Sequence, residues 1–267
     1  MSITVLKIPA HGSALSWTGQ CGLLALGYFV TGKFGLMLPY IEPHITLLWL
    51  PTGLAVAALL RWGMAVWPGI TLGVLALAWS MESEPGLALG IAAGNTLGPL
   101  LAAGLLRHYH FRRTLDQTRD IVLLVAAAVT GMLLSASGGV ASLYIFDVIP
   151  ANDTLFAWLA WWAGDSVGVL LATPLLLNMT YAGLGHIWQQ KTEYVIWLAL
   201  TCVLGWGIFI FNTGEFGHSL PLVFLMLPMV VWAAMRFDIT GASAGTLACM
   251  LIAAWATSHG LGPFHRD

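Results

Sequence analysis

The sequence predicts an all-α fold, a polytopic bundle of transmembrane helices with about nine spans in this chain, and three observations predict it. Of 267 residues, 58% are hydrophobic and 8% charged. A soluble domain carries about 25% charged residues, so an aqueous fold of this size would lack the side chains to cover its surface. The apolar stretches run without charge over lengths near the roughly 20 residues that carry a helix across about 30 Å of hydrocarbon. They also lack the alternation of apolar and polar positions, over about ten residues, that marks an outer-membrane barrel strand.

Nine runs, free of charge except for Asp165 in the sixth, satisfy this criterion: 14–32, 45–60, 62–81, 86–106, 121–146, 154–181, 194–211, 220–235 and 239–258. The first follows Lys7 without a convincing Ala-x-Ala cleavage site, so it reads as an uncleaved helix and leaves 1–13 as a cytoplasmic N-terminal segment. The second is short, ends in a tight hairpin at Arg61, and contains Pro51, at which a kink is expected. The fourth carries Gly90, Gly94 and Gly98, one every four residues, which bares one face of the helix for close packing. The sixth contains Asp165 and then Pro174, and the eighth is again short with a tight hairpin at Arg236.

Lys and Arg are retained on the cytoplasmic side. With the N-terminus inside, Lys7, Arg61, Arg107, Arg112, Arg113, Arg119, Lys191 and Arg236 are cytoplasmic, while Lys33 and Arg266 are outside. The outer loops collect Glu42, Glu82, Glu84, Asp147, Asp153 and Glu215 instead. An odd number of spans leaves Asp267 outside, so signalling to the cytoplasm would require at least one further helix beyond it. The net charge of −2 offers no basic face for nucleic acid, and none is expected as a partner. Cys21, Cys202 and Cys249 lie far apart inside apolar runs and read as small lipid-phase side chains.

Asp165 is the most informative position. A lone carboxylate in mid-span costs about 2.5 to 3.5 kcal/mol on insertion scales, so it must face the protein interior or a wet cavity. No Lys or Arg lies within any span, which leaves it protonated, hydrogen-bonded to neutral donors, or bound to something cationic. A structural tie and a functional site are both open readings. Helical spacing sets Trp158, Trp161, Asp165 and Gly168 on one stripe with Trp162 alongside, as pocket walls or as an aromatic belt. Asn95 is the second buried polar candidate and is expected to donate to Asp165. Trp49 and Thr52 flank Pro51, where a kink would open a ligand niche. The candidate ligand-binding or signal-sensing residues are therefore Asp165, Trp161, Trp162, Asn95, Trp49 and Thr52.

His44, His218 and His259 fall at outer ends of spans, and a haem or metal site would need them to converge, an arrangement that sequence separation does not address. No metal site and no cofactor is assigned. His108 and His110 sit in a basic loop facing the lipid surface. His265-Arg266-Asp267 spells the start of a kinase catalytic loop without the other kinase parts, and Walker, dinucleotide and His-Glu-x-x-His patterns do not occur. The chain shows no catalytic constellation.

Several motifs in order resemble a known family. They are Leu48-Trp49-Leu50-Pro51-Thr52-Gly53, Ala57 to Gly63 with Arg61-Trp62-Gly63, Val66-Trp67-Pro68-Gly69-Ile70, and Gly94-Asn95-Thr96-Leu97. Trp161-Trp162-Ala163-Gly164-Asp165 with Pro174, Leu227-Pro228 with Trp232 to Phe237, and Gly260-Leu261-Gly262-Pro263-Phe264 complete the set. Together they resemble the first type of membrane-associated sensor domain. The resemblance implies a bacterial inner-membrane input module over 14–267, multi-pass with a cytoplasmic N-terminus. It further implies a cytoplasmic diguanylate cyclase, phosphodiesterase or histidine kinase in cis, carried on residues outside this chain. Its partners would be membrane lipids, an unidentified small ligand, that output domain and a second copy in a homodimer. A transporter of a small molecule or ion, with Asp165 as its midplane site, is the alternative.

Overall fold

The computed structural model describes residues 15–37, 46, 48–179, 190–211 and 226–259. Among these, nine α-helices and no strand occur: α1 (Trp17–Leu36), α2 (Leu50–Trp62), α3 (Trp67–Trp79), α4 (Pro85–His108), α5 (Thr118–Ile145), α6 (Thr154–Asn178), α7 (Lys191–Trp206), α8 (Met226–Arg236) and α9 (Asp238–Ser258). Five of them, α4 to α7 and α9, are long and apolar enough to cross a membrane by length and composition. The expectation of nine spans thus reduces, on this measure, to five. Helices α2 and α3 have 13 residues each and α8 has 11, short of a full crossing at 1.5 Å per residue.

Helix starts follow from capping chemistry. The Ser16 hydroxyl accepts from the Gly19 N–H at 3.3 Å and opens α1. Pro51, Pro68 and Pro85 stand in the first turns of α2, α3 and α4, where the N–H that proline lacks has no helical partner anyway. The kink expected at Pro51 is therefore absent: the helix begins at Leu50, five residues later than the apolar run, and the proline starts it. Gly63, at φ +104°, makes the sharp turn after α2, a backbone conformation that side-chain-bearing residues rarely adopt.

Small side chains make up more than half of the buried face of α5. On α5, Ala127, Ala128, Gly131, Ser135, Ala136, Gly139 and Ser142 are buried, whereas Val122, Val125, Val129, Leu133 and Leu134 are exposed. Without a hydrophobic drive between helices in lipid, close backbone approach and dense packing hold them together, and small residues permit both. The Gly90, Gly94 and Gly98 face of α4 lies on this α5 seam. A Cβ on Gly94 would stand 3.0 Å from the Ser135 carbonyl oxygen, and one on Gly98 would stand 3.1 Å from that of Gly131.

The two ends of the bundle differ in charge. At one end the Trp17 indole donates to the Ala65 carbonyl at 3.0 Å, Arg61 to that of Leu176 at 3.2 Å, and Arg119 to that of Tyr109 at 2.6 Å. These bonds gather Arg61, Arg107, Arg112, Arg113 and Arg119. Partial burial, with Arg107 and Arg61 nearby, holds the Arg113 guanidinium below its ordinary pKa. At the other end Lys33 donates to the Ser80 carbonyl at 3.5 Å, tying α1 to the end of α3 beside Glu82 and Glu84.

Helices α7 to α9 pack around aromatic side chains. Trp197 is 1% exposed, donates to the Met229 carbonyl at 2.8 Å, and lies 5.5 Å from the Phe237 ring. Glu193 of α7 takes both forks of Arg236 at 2.7 and 2.6 Å and the Trp232 indole N–H at 3.1 Å. Thr240 of α9 donates to the Asn178 carbonyl at 3.2 Å and joins this group to α6. Cys21 is buried, Cys249 partly so and Cys202 exposed, and all three are free thiols.

Candidate functional site

Helices α2 and α6 touch backbone to backbone. The Trp49 N–H donates to the Gly164 carbonyl at 3.1 Å, and the Thr173 hydroxyl donates to the Gly53 carbonyl at 3.0 Å. Between these bonds Gly53 faces Gly168 so closely that a Cβ on the first would collide with the Gly168 carbonyl, and one on the second with that of Trp49. This contact sets the register that brings the Thr52 hydroxyl 2.6 Å from Asp165 Oδ1.

The α4 and α5 seam supplies the other half. Ser135 Oγ lies 2.5 Å from Asp165 Oδ2 and 3.1 Å from Asn95 Oδ1. Trp161, four residues before the acid on α6, stands one turn away and lines the same cavity as the carboxyl. Thr52, Asn95, Ser135 and Asp165 therefore bring polar groups from α2, α4, α5 and α6 to one point, and each is at most 3% exposed. A carboxyl buried this far from water depends on such donors. Beside it, Trp49 donates its indole N–H to the Tyr28 hydroxyl of α1 at 3.3 Å, and Tyr28 is fully buried.

A cavity of about 60 Å³ opens over this carboxyl. Asp165, Asn95, Trp49 and Trp161 line it together with Val74, Leu77 and Ile91, and it reaches the partly exposed Leu36, Met81 and Ser83 at the ends of α1 and α3. A site of this size holds a few water molecules or a small head group. Its chemistry is that of a buried acceptor among neutral donors and apolar walls, suited to binding a hydrogen-bond donor or a positive charge.

Of the residues singled out from the sequence, Asp165, Asn95, Thr52, Trp49 and Trp161 meet at this point. Trp162 does not. Its indole donates to the Val129 carbonyl at 2.9 Å and stacks on Trp158 with ring centres 6.2 Å apart, on the α5 side of the helix, because one residue is 100° of helical rotation. Nor does Asn95 reach Asp165 directly, since the Ser135 hydroxyl stands between them. Ser135 and Tyr28 were not foreseen. The small-residue spacing from Gly131 through Ser135 to Gly139 held the signal for Ser135, whereas nothing local marks Tyr28. His259 closes α9 with Nδ1 2.9 Å from the Trp255 carbonyl oxygen, and His44 and His218 lie outside the described residues. Among the described residues, no three His, Cys, Asp or Glu side chains gather as a metal site.

The sequence matches the MASE1 family over residues 20–267. It is similar to the "Probable diguanylate cyclase DgcE" of Escherichia coli (strain K12), at 28% identity over 221 residues that cover 80% of this chain. The chain spans about one fifth, 19%, of that relative's length. No solved structure matches. A match that takes in the helices from α1 to α9, on a chain with five helices long and apolar enough to cross a bilayer, identifies a multi-pass membrane protein of the MASE1 family, a sensory input module of a signalling protein.

Proposed function

We propose that the cavity over Asp165 is the sensing site of this module, and that its occupancy is relayed to a cytoplasmic output domain in cis. The observation that carries the reading is the convergence of side chains from four helices on one buried carboxyl at the floor of a cavity. A ligand seated there touches α2, α4 and α6 together, so it favours one relative placement of these helices over another. Only such a differential interaction shifts a two-state equilibrium.

The remaining features of the topology belong to the same proposal. All nine helices cross or enter the bilayer of the bacterial inner membrane, the N-terminus is cytoplasmic, and residues 14–267 form the sensor domain. The clustering of Arg61, Arg107, Arg112, Arg113 and Arg119 at one end supports that orientation. The similarity to a diguanylate cyclase, of which the match covers 19%, supports a cyclase as the output, with cyclic di-GMP as its product.

The test is output in the full-length protein. Substituting Ser135→Ala or Asp165→Asn should change the stimulus-dependent output at least five-fold at unchanged membrane abundance, whereas Trp162→Phe should leave it unaltered. Equal output in all three and in the parent would refute the assignment. Transport through the same carboxyl is the competing reading, and cation flux in proteoliposomes that is abolished by Asp165→Asn would favour it.

A further inference from the structure

We propose that the outward face of the α3 and α4 pair is the binding site of one anionic phospholipid, with an acyl chain in the groove between the helices and the phosphate on Arg107. The groove has a volume of about 440 Å³ and is walled by Trp67 and Thr71 of α3 and by Leu89, Ala93, Leu97 and Leu100 of α4. At its floor the Thr71 and Thr96 hydroxyls are 2.9 Å apart and bond to each other, and the rest of the lining is alanine, leucine and the Trp67 ring. Trp67, Leu89 and Leu97 stay largely exposed at the rim. The groove lies on the other side of α4 from the cavity over Asp165, which Ile91 and Asn95 line.

Followed along α4, the groove face leads to a cation. Ala93, Leu97, Leu100, Gly104 and Arg107 succeed one another at intervals of four and three residues, the spacing of one helix face. A Cβ on Gly104 would meet nothing within 4 Å, so this face stays open between the groove and Arg107, which is itself exposed. From Ala93 to Arg107 the helix rises about 21 Å at 1.5 Å per residue. One leaflet with its head groups is half of a bilayer about 40–45 Å thick. A lipid whose phosphate meets Arg107 therefore ends its chain beside Ala93.

Charge at that level selects the head group. Arg61 and Arg119 donate to the main-chain carbonyls of Leu176 and Tyr109, bonds that neutralise neither cation. Partial burial and the nearby Arg107 and Arg61 hold Arg113 below its ordinary pKa. The two carboxylates of the adjoining loop both turn to Arg112: Asp116 lies 4.0 Å from its guanidinium, and Asp120 accepts its backbone N–H at 3.2 Å. Residues 1–14 and 180–189, which adjoin this end in sequence, contain no Asp or Glu. A phosphate on Arg107 gains charge-assisted hydrogen bonds amid this excess of cations, and a guanidinium can hold it with two at once. A neutral lipid would fill the groove equally well and leave the charge unmet.

The test places the full-length protein in phosphatidylcholine nanodiscs with one spin-labelled lipid per protein, the label near the end of the acyl chain. Electron spin resonance reads the share of label that is immobilised. Labelled phosphatidylglycerol is expected to be immobilised at least three-fold more than labelled phosphatidylcholine. That preference should vanish in R107Q and persist in R112Q, which removes a neighbouring cation that lies off the α4 face. A93F fills the groove and should lower the immobilised share of phosphatidylglycerol at least two-fold with Arg107 intact. Arg107 and Ala93 are both exposed, so neither substitution disturbs the packing of α4. Equal immobilisation of the two lipids in the parent, the result if a second copy of the chain occupied the groove, would overturn the proposal. So would a preference undiminished in R107Q, one lost equally in R112Q, or an immobilised share unchanged in A93F.

Discussion

In α1 to α6 the backbones themselves touch, Gly53 against Gly168 and Gly94 against Gly138, with hydroxyls and one carboxyl threaded between them. In α7 to α9 the contacts around Trp197 are ring on ring: Trp197 packs on Phe237 and Tyr194, and Gly245 makes room for the Trp197 ring instead of for a neighbouring backbone. A backbone contact of this kind has one register, since a slip of one residue would set side chains against carbonyls and pull Thr52 and Ser135 off Asp165. An aromatic cluster has adaptable faces and needs fewer polar partners. The first region suits a site whose geometry must be held, and the second suits adhesion.

The largest effect expected is that of Trp197→Ala, which empties the centre of the aromatic group and should cost about 3–5 kcal/mol. Hydrogen exchange should then rise in α7 to α9 and stay low in α2 and α6, and an equal rise in α2 would break the division between the regions. Gly168→Val comes next, at about 3 kcal/mol, because its side chain meets the Trp49 carbonyl with no room to relax. Denaturant titration of the purified protein measures it, and a neutral result would show that the α2 and α6 contact is looser than drawn.

Ser135→Ala removes the hydroxyl that bridges the Asp165 carboxyl and the Asn95 side chain and should cost about 1–3 kcal/mol. In that background Asn95→Ala and Asp165→Asn should become additive in stability, which sharpens the claim that Ser135 couples them. Gly104→Ala should stabilise by about 0.5–1 kcal/mol, as nothing lies within 4 Å of its new methyl group and alanine is the better helix former. Arg236→Gln should have the smallest effect and lose it in high salt, since its pair with Glu193 is partly open to solvent.

Much of this site was legible because polar residues are scarce. In a chain with 8% charged residues, Asp165 and Asn95 stand out in long apolar runs, and the cost of burying them forces both inward. Thr52 and Trp49 drew notice through Pro51, for a reason the structure reverses: the proline begins a helix and bends none. Trp161 and Trp162 were indistinguishable by composition, and the rotation of α6 separated them. Ser135 was hidden because serine is common on small-residue seams, and its role depends on which helix lies opposite.

The order of helices, their lipid environment and the need for an inward-facing acid follow from composition and chain length alone, since these are costs that each segment meets on its own. Which faces meet is another matter. Helices that are apolar all round carry almost no directional signal in hydropathy, so the pairing of Gly53 with Gly168 and of Gly94 with Gly138 was settled only by fitting surfaces in three dimensions. The hydroxyl bridge from Asp165 to Asn95 is a consequence of that fit, because a hydrogen bond between helices exists only once their registers are set.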